Sequence, residues 1–214
     1  MAIVNLCLAA VTGAAHAGDE APIRMVAFGD SLTAGYMLAP SEAFPVQLAE
    51  ALKAKGVAVE MANAGVSGDT TAAGLERFDW AIPEGTEAVV LELGANDALR
   101  GIDPDETRKN LDAILAKLGE RKIAVLLAGM AAPKNWGREY EAKFSTIYTD
   151  LSAKHGALLY PFFLEGVALD AKLNLQDGLH PTAAGVGVIV QGILPKVEEL
   201  IGRVRERRAT ISKS

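Results

Sequence analysis

Three side chains of this sequence could together activate a serine for attack on an ester carbonyl carbon. Ser31 lies in VAFGDSLTAGY, directly after a short apolar run that predicts a buried strand. Asp177 and His180 lie close together in QDGLHPTAAG, near the other end of the chain. A serine hydroxyl becomes a strong nucleophile only when a base takes its proton, and imidazole titrates near neutral pH. The three residues form a candidate Ser–His–Asp triad, with Asp177 orienting the ring of His180.

His180 is the best candidate for the general base among the three histidines of the sequence. His16 lies in an apolar N-terminal segment, and His155 lies where a predicted helix gives way to a strand, a common place for a surface histidine. Pro181 keeps His180 out of the helical region of backbone conformation, just before a helix begins. A purely structural role is the alternative for His180 taken alone.

Two further residues could donate hydrogen bonds to the oxyanion that forms during acyl transfer. Gly68, in SGDT, has no side chain to keep a substrate from its backbone N–H. Asn96, in GAND, offers a side-chain amide that is neutral at every pH. The alternatives are an ordinary turn glycine and an Asx-turn asparagine. We expect the neighbouring Asp69 and Asp97 to cap or brace these loops.

The elements that must position these residues follow an alternating pattern, which predicts a parallel sheet with helices on both faces. The predicted strands are residues 24–28, 57–61, 87–93, 123–128 and 157–160. The predicted helices are residues 44–53, 71–78, 104–118 and 138–154, with a last helix from about residue 182 to 204. Asp103 followed by Pro104 is a typical helix start, and Gly56 and Gly119 lie where helices should stop.

The candidate residues all follow predicted strands. In open α/β sheets, sites form in the loops beyond the carboxyl ends of the strands. Ser31 follows the first strand, Gly68 the second and Asn96 the third, while Asp177 and His180 lie beyond the fifth. The sequence therefore predicts that these distant residues converge at one edge of the sheet.

The same residues resemble the sequence blocks of the GDSL, or SGNH, hydrolase family. GDSL is intact at residues 29–32, the block glycine matches Gly68, GxND matches residues 94–97, and DxxHP matches residues 177–181. APKNWGREY and YPFFLEGV are similar to the bacterial thioesterase I, lysophospholipase and arylesterase branch. The resemblance implies an α/β fold, a flavodoxin-like three-layer αβα sandwich with a five-stranded parallel sheet. It also implies a catalytic triad of Ser31, Asp177 and His180. The oxyanion hole that it implies is formed by Ser31, Gly68 and Asn96.

The motif differs from the nucleophile elbow of α/β-hydrolases, because Thr33 stands where that motif requires its second glycine. No cluster of histidine, cysteine and carboxylate residues has metal-ligand spacing, so we expect no metal and no cofactor. Cys7, the only cysteine, lies in the N-terminal apolar segment, which leaves the rest of the chain without a thiol or a disulfide.

The ends of the chain predict an exported single domain. Residues 1–17 resemble a secretory signal peptide with an A-x-A cleavage site, although no Lys or Arg precedes the apolar run. We expect one domain over residues 18–214 and a periplasmic or secreted location, with no transmembrane segment. Residues 202–214 form a basic tail, for which a solvated helix end running into disorder is favoured over an anionic partner. The net charge of −6 argues against a nucleic-acid partner.

The expected partner is a small-molecule ester or thioester, and the sequence does not determine the oligomeric state. Loops rich in Leu, Met and Phe, at residues 38–44, 99–102, 130–140 and 162–175, favour short to medium acyl or aryl esters, with thioesters and lysophospholipids also open. A carbohydrate acetylesterase is the alternative within the same class. A catalytically silent acyl-binding module is the alternative from another class.

Overall fold

A computed structural model describes residues 21–213 and contains one sheet of five parallel strands. The strand order is β2-β1-β3-β4-β5. The predicted α/β fold with a five-stranded parallel sheet is therefore confirmed. The strands are β1 (Ile23–Gly29), β2 (Val59–Gly65), β3 (Ala88–Glu92), β4 (Ala124–Ala128) and β5 (Leu158–Tyr160).

Helices cover both faces of this sheet. They are α1 (Ser31–Ala34), α2 (Phe44–Ala54), α3 (Thr71–Glu76), α4 (Phe78–Ala81), α5 (Ala95–Arg100), α6 (Pro104–Glu120), α7 (Arg138–Ser145), α8 (Ile147–His155) and α9 (Ala183–Ile211). Helices α2 and α9 pack against each other on one face, and α6 packs with α8 on the opposite face. The chain thus folds into three layers, helix, sheet and helix.

The direction of winding reverses between β1 and β3, which are neighbours in the sheet. From β1 the chain first moves to β2 at one edge, then returns past β1 to β3 and continues to β4 and β5 on the other side. Loops leaving β1 and β3 diverge at such a switch point and open a crevice at their carboxyl ends. Ser31 follows β1 and Asn96 follows β3, so both lie at this crevice.

The central strands are buried on both faces, as a covered parallel sheet requires. Every residue of β3 is buried, and six of the seven residues of β1 are buried. Around them, aromatic side chains fill the space between sheet and helices, including Phe44 and Phe163, whose rings meet edge to face at 5.0 Å. This packing gives the loops beyond the strands a rigid base.

The second strand is predicted too early in the chain. The sequence favours residues 57–61, whereas β2 spans Val59–Gly65. Strand β2 lies at the edge of the sheet and is partly exposed, so its last five residues, MANAG, lack the apolar run that marks a buried strand. The corrected position ends β2 directly before the loop that carries Gly68.

Two predicted helices are each broken into two shorter ones. The stretch 71–78 contains α3 and the start of α4, with the break at Arg77, and the stretch 138–154 contains α7 and α8, with the break at Thr146. Gly119 does not end α6, which continues to Glu120. Gly56 does follow the end of α2 with a positive φ of 77°. The breaks fall at Arg77 and Thr146, and neither is a glycine or a proline that would mark an interruption in the sequence.

The expectation of disorder in the basic tail is wrong. Helix α9 runs to Ile211, and the Arg208 guanidinium donates to both carboxylate oxygens of Glu87, at 2.7 and 2.6 Å. Arg208 also donates to the backbone carbonyls of Ala21 and Pro22. The tail thus holds the first described residues against the sheet. The predicted leader, residues 1–17, lies outside the described residues, and within residues 21–213 no helix is long and apolar enough to cross a membrane.

Candidate active site

Ser31 is the first residue of α1, and only Asp30 separates it from the end of β1. Asp30 caps this helix, because its carboxylate accepts the N–H of Leu32 at 3.0 Å. The abrupt change from strand to helix places Ser31 at the crevice while keeping it largely buried. Its own backbone N–H belongs to the first turn of a helix and therefore has no intrahelical acceptor.

Asp177 and His180 are brought to Ser31 by a tight turn before α9. The Asp177 carboxylate accepts the backbone N–H groups of Leu179 and His180 at 2.9 and 3.0 Å. Its other oxygen lies 2.7 Å from Nδ1 of His180, and Nε2 of the same ring lies 2.9 Å from Oγ of Ser31. The structure thus joins all three residues in one hydrogen-bonded chain.

These contacts fix the charge of Asp177. The backbone N–H of His180, then that of Leu179, and then the His180 ring lower the pKa of Asp177 to about 2. The carboxylate is therefore ionised at neutral pH and accepts the proton on Nδ1 of His180. Nε2 is then the ring nitrogen that faces Ser31.

Tyr36 packs against the imidazole of His180, a contact that is not evident from the sequence. The two ring centroids are 4.5 Å apart, with the planes inclined by 37°. Tyr36 follows α1, where its backbone N–H donates to the carbonyl of Ser31 at 3.1 Å. The nucleophile loop therefore also supports the ring of the candidate base.

Gly68 lies at the third position of a β-turn after β2. The N–H of Asp69 donates to the carbonyl of Val66 at 3.1 Å, and Gly68 has a φ of 87°. A positive φ at this position is typical of a type II turn and favours glycine. The N–H of Val66 donates to the carbonyl of Gly29 at 3.0 Å, so the turn is attached to the end of β1.

Asn96 lies in the first turn of α5, across the crevice from Ser31. Its Nδ2 donates to Oδ2 of Asp30 at 3.0 Å. An amide nitrogen has two hydrogens, so one can hold Asp30 while the other is offered to a substrate. This contact differs from the Asx-turn considered as the alternative for Asn96.

Two buried carboxyl groups beneath the nucleophile were not identified from the sequence. Asp30 is fully buried, and this burial raises its pKa to about 6. Glu92 ends β3; its Oε2 accepts the Thr33 hydroxyl at 2.7 Å, and burial raises its pKa well above the ordinary value. The available signal was an acidic residue at the end of the buried run AVVLE, where an unpaired charge is costly.

Asp69 and Asp97 brace the loops, as expected. Asp97 accepts both the backbone N–H and the hydroxyl of Thr71, at 2.8 and 2.5 Å. Asp69 forms an ion pair with Arg77, with 2.5 Å between the carboxylate and Nε. These bonds connect the loop after β2 to α5 and to α3.

A cavity of about 670 Å³ opens beside Ser31 and His180. Its walls are mainly apolar, and Ser31, Asp30 and Asn96 are among the lining residues. Three of the four loops expected to contact substrate contribute to this surface, with Leu99, Met130, Phe162, Leu164 and Leu169 among the lining residues. The fourth, residues 38–44, contributes no lining residue, so that part of the expectation is wrong. Such a cavity suits an apolar group attached to a reacting carbonyl.

Comparisons with known proteins agree with this architecture. Residues 27–188 match the model of the GDSL-like Lipase/Acylhydrolase family. The chain is 34% identical over 200 residues to Esterase TesA of Pseudomonas aeruginosa, covering 93% of this chain and 98% of that protein. It is 36% identical over 166 residues to an arylesterase of Vibrio mimicus, covering 77% and 83% of the two chains.

A solved structure gives the same result. AlinE4, described as an SGNH-hydrolase family esterase, is 46% identical to this chain and superposes with a TM-score of 0.72. The match covers 84% of this chain and 97% of AlinE4. The resemblance noted in the sequence is confirmed: this chain belongs to the GDSL-like lipase/acylhydrolase family.

Proposed function

We propose that this protein hydrolyses carboxylic esters through an acyl-enzyme formed on Ser31. The observation that carries the proposal is the chain of hydrogen bonds from Ser31 through His180 to Asp177, at the mouth of an apolar cavity. A site that only binds a ligand has no use for an imidazole shared between a serine hydroxyl and an ionised carboxylate. The esterases among its relatives support the same reaction class.

In the first half of the reaction, Nε2 of His180 takes the hydroxyl proton of Ser31 as Oγ attacks the carbonyl carbon. The carbonyl oxygen becomes an oxyanion, for which the donors are the N–H groups of Ser31 and Gly68 and the side-chain amide of Asn96. His180 then gives its proton to the leaving-group oxygen, and the bond to that oxygen breaks. The acyl group remains on Ser31 and the alcohol departs.

In the second half, His180 takes a proton from water, and the resulting hydroxide attacks the acyl carbon. The same donors hold the second oxyanion. The carbon–Oγ bond then breaks and the proton returns to Ser31, which releases the carboxylic acid. Asp177 stays ionised throughout and stabilises the imidazolium.

For the substrate we propose esters with a short to medium acyl chain or an aryl group, with the apolar part in the cavity beside Ser31. Leu99, Met130, Phe162 and Leu164 offer this group an apolar surface, and Lys134 is the one lysine or arginine among the described lining residues. A sugar acetate would instead require polar contacts for its hydroxyl groups. The apolar walls therefore favour simple esters over the carbohydrate acetylesterase alternative.

A chromogenic ester assay with wild type and Ser31→Ala tests the proposal. We expect turnover in the wild type and its loss in the variant, together with labelling of Ser31 by a fluorophosphonate in the wild type alone. Thr70→Ala is the matched control, because Thr70 is a hydroxyl residue that caps α3 and takes no part in the proposed reaction. Undiminished turnover in Ser31→Ala would overturn the proposal, and a wild type that is neither active nor labelled would favour a binding module.

We also propose that residues 1–17 are a signal peptide and that residues 18–214 form the exported hydrolase domain. The support is the apolar leader followed by the small-residue pattern at Ala15 and Ala17. Expression of the full chain in a bacterial host, followed by N-terminal sequencing of the periplasmic protein, tests this. A mature protein that begins at Met1 would contradict it.

A further inference from the structure

We propose that Arg77 is a positioning residue of the oxyanion hole, which sets the distance between the backbone donors of Ser31 and Gly68. This inference rests on the proposed function. Arg77 lies at the break between α3 and α4 and is 6% exposed. Neither the sequence pattern nor the triad requires an arginine at this position.

One guanidinium connects the two segments that supply these donors. Nε of Arg77 donates to Asp69, which directly follows Gly68, at 2.5 Å. Nη2 donates to the backbone carbonyl of Gly29, two residues before Ser31, at 2.8 Å. The planar guanidinium fixes both contacts at once, which a flexible ammonium group cannot do.

The orientation of this guanidinium is itself fixed. Its Cζ lies 4.4 Å from the ring centroid of Phe28, in β1, and 5.8 Å from that of Trp80, in α4. The cation therefore lies over an aromatic ring that belongs to the same strand as Gly29. Motion of the turn around Gly68 relative to β1 would have to break this stacked arrangement.

Stability alone does not account for a charged residue here. Nη1 of Arg77 is buried and has no hydrogen-bond partner within the described part of the chain. A buried ion pair with an unsatisfied donor is often no more stable than an apolar side chain of similar volume. The turn at Val66–Asp69 is exposed at Gly68, where Arg100 donates to the Gly68 carbonyl at 2.8 Å from the solvent side. Its other end is attached by the N–H of Val66 to the carbonyl of Gly29. Arg77 adds the buried side-chain link between the two donor segments, and positioning of the turn is the role that this geometry supports.

The consequence is kinetic. Oxyanion donors act on the transition state, so their displacement lowers kcat and leaves substrate binding nearly unchanged. Direct removal of one such donor typically costs about 10²- to 10³-fold in kcat. Because Arg77→Met displaces Gly68 without removing its N–H, we expect a smaller loss of about 10- to 100-fold in kcat, with KM within about twofold.

The matched control is Arg121→Met. Arg121 also donates to two backbone carbonyls, those of Ile82 and Pro83, at 2.8 Å each, and its Cζ lies 5.8 Å from the ring centroid of Phe78. It supports a loop that carries no residue of the candidate site. We expect Arg121→Met to retain wild-type kcat, even where its melting temperature falls as much as that of Arg77→Met.

Two more variants examine the path through Asp69. We expect Asp69→Asn to lower kcat in the same direction, and the double variant Arg77→Met/Asp69→Asn to lose little more than Arg77→Met alone. Arg77→Lys keeps the charge but reaches one acceptor, so it should recover part of the lost kcat. These variants also decide the question if Arg77→Met does not fold.

The pH profile of kcat separates this role from damage to the triad. If Arg77 positions the oxyanion hole, the acid limb of that profile should keep its wild-type position in Arg77→Met. In protein labelled by a phosphonate at Ser31, the Gly68 amide proton should shift downfield in wild type and Arg121→Met, and less so in Arg77→Met. Wild-type kcat in folded Arg77→Met, or equal losses in the Arg121→Met control, would overturn the inference. Failure of the proposed function would instead appear as turnover that survives Ser31→Ala.

Discussion

Asn96 and Asp30 join the two sides of the crevice, because Nδ2 of the amide donates to the carboxyl oxygen at 3.0 Å. Asp30 follows β1 and caps the helix that begins with Ser31, while Asn96 lies in the helix after β3. One hydrogen bond therefore fixes a candidate oxyanion donor relative to the candidate nucleophile. The reversal of winding between β1 and β3 is what makes this contact possible.

Removal of the Asn96 amide should slow the chemical step. We expect Asn96→Ala to lower kcat by about 10²- to 10³-fold, because a preorganised donor to the oxyanion is lost, while KM changes little. Asn110→Ala is a suitable control, since the amide of Asn110 donates to the hydroxyl of Thr71 instead of to Asp30. Steady-state kinetics of both variants on one chromogenic ester check the prediction, and equal losses in the two would contradict it.

Replacement of Asp177 by asparagine should be far more harmful than its small change in size suggests. An amide at this position can donate to Nδ1 of His180 and so place the ring proton on Nε2, where it blocks the base. In the serine protease triad the equivalent change lowers kcat by about 10⁴-fold, and we expect a loss of this order for Asp177→Asn.

The surface pair Asp112 and His155 provides the control for this change. Oδ1 of Asp112 lies 2.6 Å from Nε2 of His155, away from the crevice. Asp112→Asn should therefore keep wild-type kcat. Single-turnover kinetics of both variants make the comparison, and a fully active Asp177→Asn would remove Asp177 from the proposed triad.

The buried carboxyl of Asp30 should make folding stability depend on pH. Its pKa is raised from 3.8 to about 6, so the folded protein retains this proton in a pH range where the unfolded chain has lost it. The stabilisation is complete below the unfolded pKa and is lost as the pH rises through the folded pKa. As the pH rises from 4 to 7, the free energy of unfolding of Asp30→Asn should therefore increase relative to that of the wild type, by up to about 3 kcal/mol.

Urea unfolding at the two pH values measures this difference. Asp79→Asn is the control, because the Asp79 side chain is mostly exposed and pairs with Lys117 at the surface. The change with pH should be larger for Asp30→Asn than for Asp79→Asn. A pH-independent difference between Asp30→Asn and wild type would show that Asp30 does not hold its proton in the folded state.

The apolar cavity should select for the acyl or aryl part of the ester. Leu99 lines the cavity and is partly exposed, so Leu99→Ser removes apolar surface without emptying the core. We expect the ratio of kcat/KM for octanoyl over acetyl esters to fall about fivefold, which corresponds to about 1 kcal/mol of lost apolar contact. Val46→Ser, an exposed apolar residue of α2, should leave the ratio unchanged. An unchanged ratio in Leu99→Ser would place the acyl chain elsewhere.

Much of the fold could be predicted because buried parallel strands leave a direct mark in the sequence. Strands β1, β3, β4 and β5 are short apolar runs, and each lies within two residues of its predicted bounds. Strand β2 was misplaced because it is partly exposed and carries the polar residues Glu60 and Asn63, whereas β5, the other edge strand, is a short apolar run. The breaks at Arg77 and Thr146 were missed because they depend on contacts with other elements and not on local helix preference.

The sequence by itself determined the family, the fold class and the five candidate site residues, because blocks such as GDSL and DGLHP contain these residues in recognisable neighbourhoods. Only the tertiary structure decided how they meet. The 2.9 Å contact between Ser31 and His180 joins residues that are 149 positions apart, and local sequence does not encode such a distance. The same holds for the buried Asp30 and Glu92 and for the bridge through Arg77. The burial of these side chains, the raised pKa values of the two carboxyl groups and the ion pair of Arg77 all depend on tertiary packing. They arise only when the strands pack side by side and the loops beyond β1, β2 and β3 are brought together.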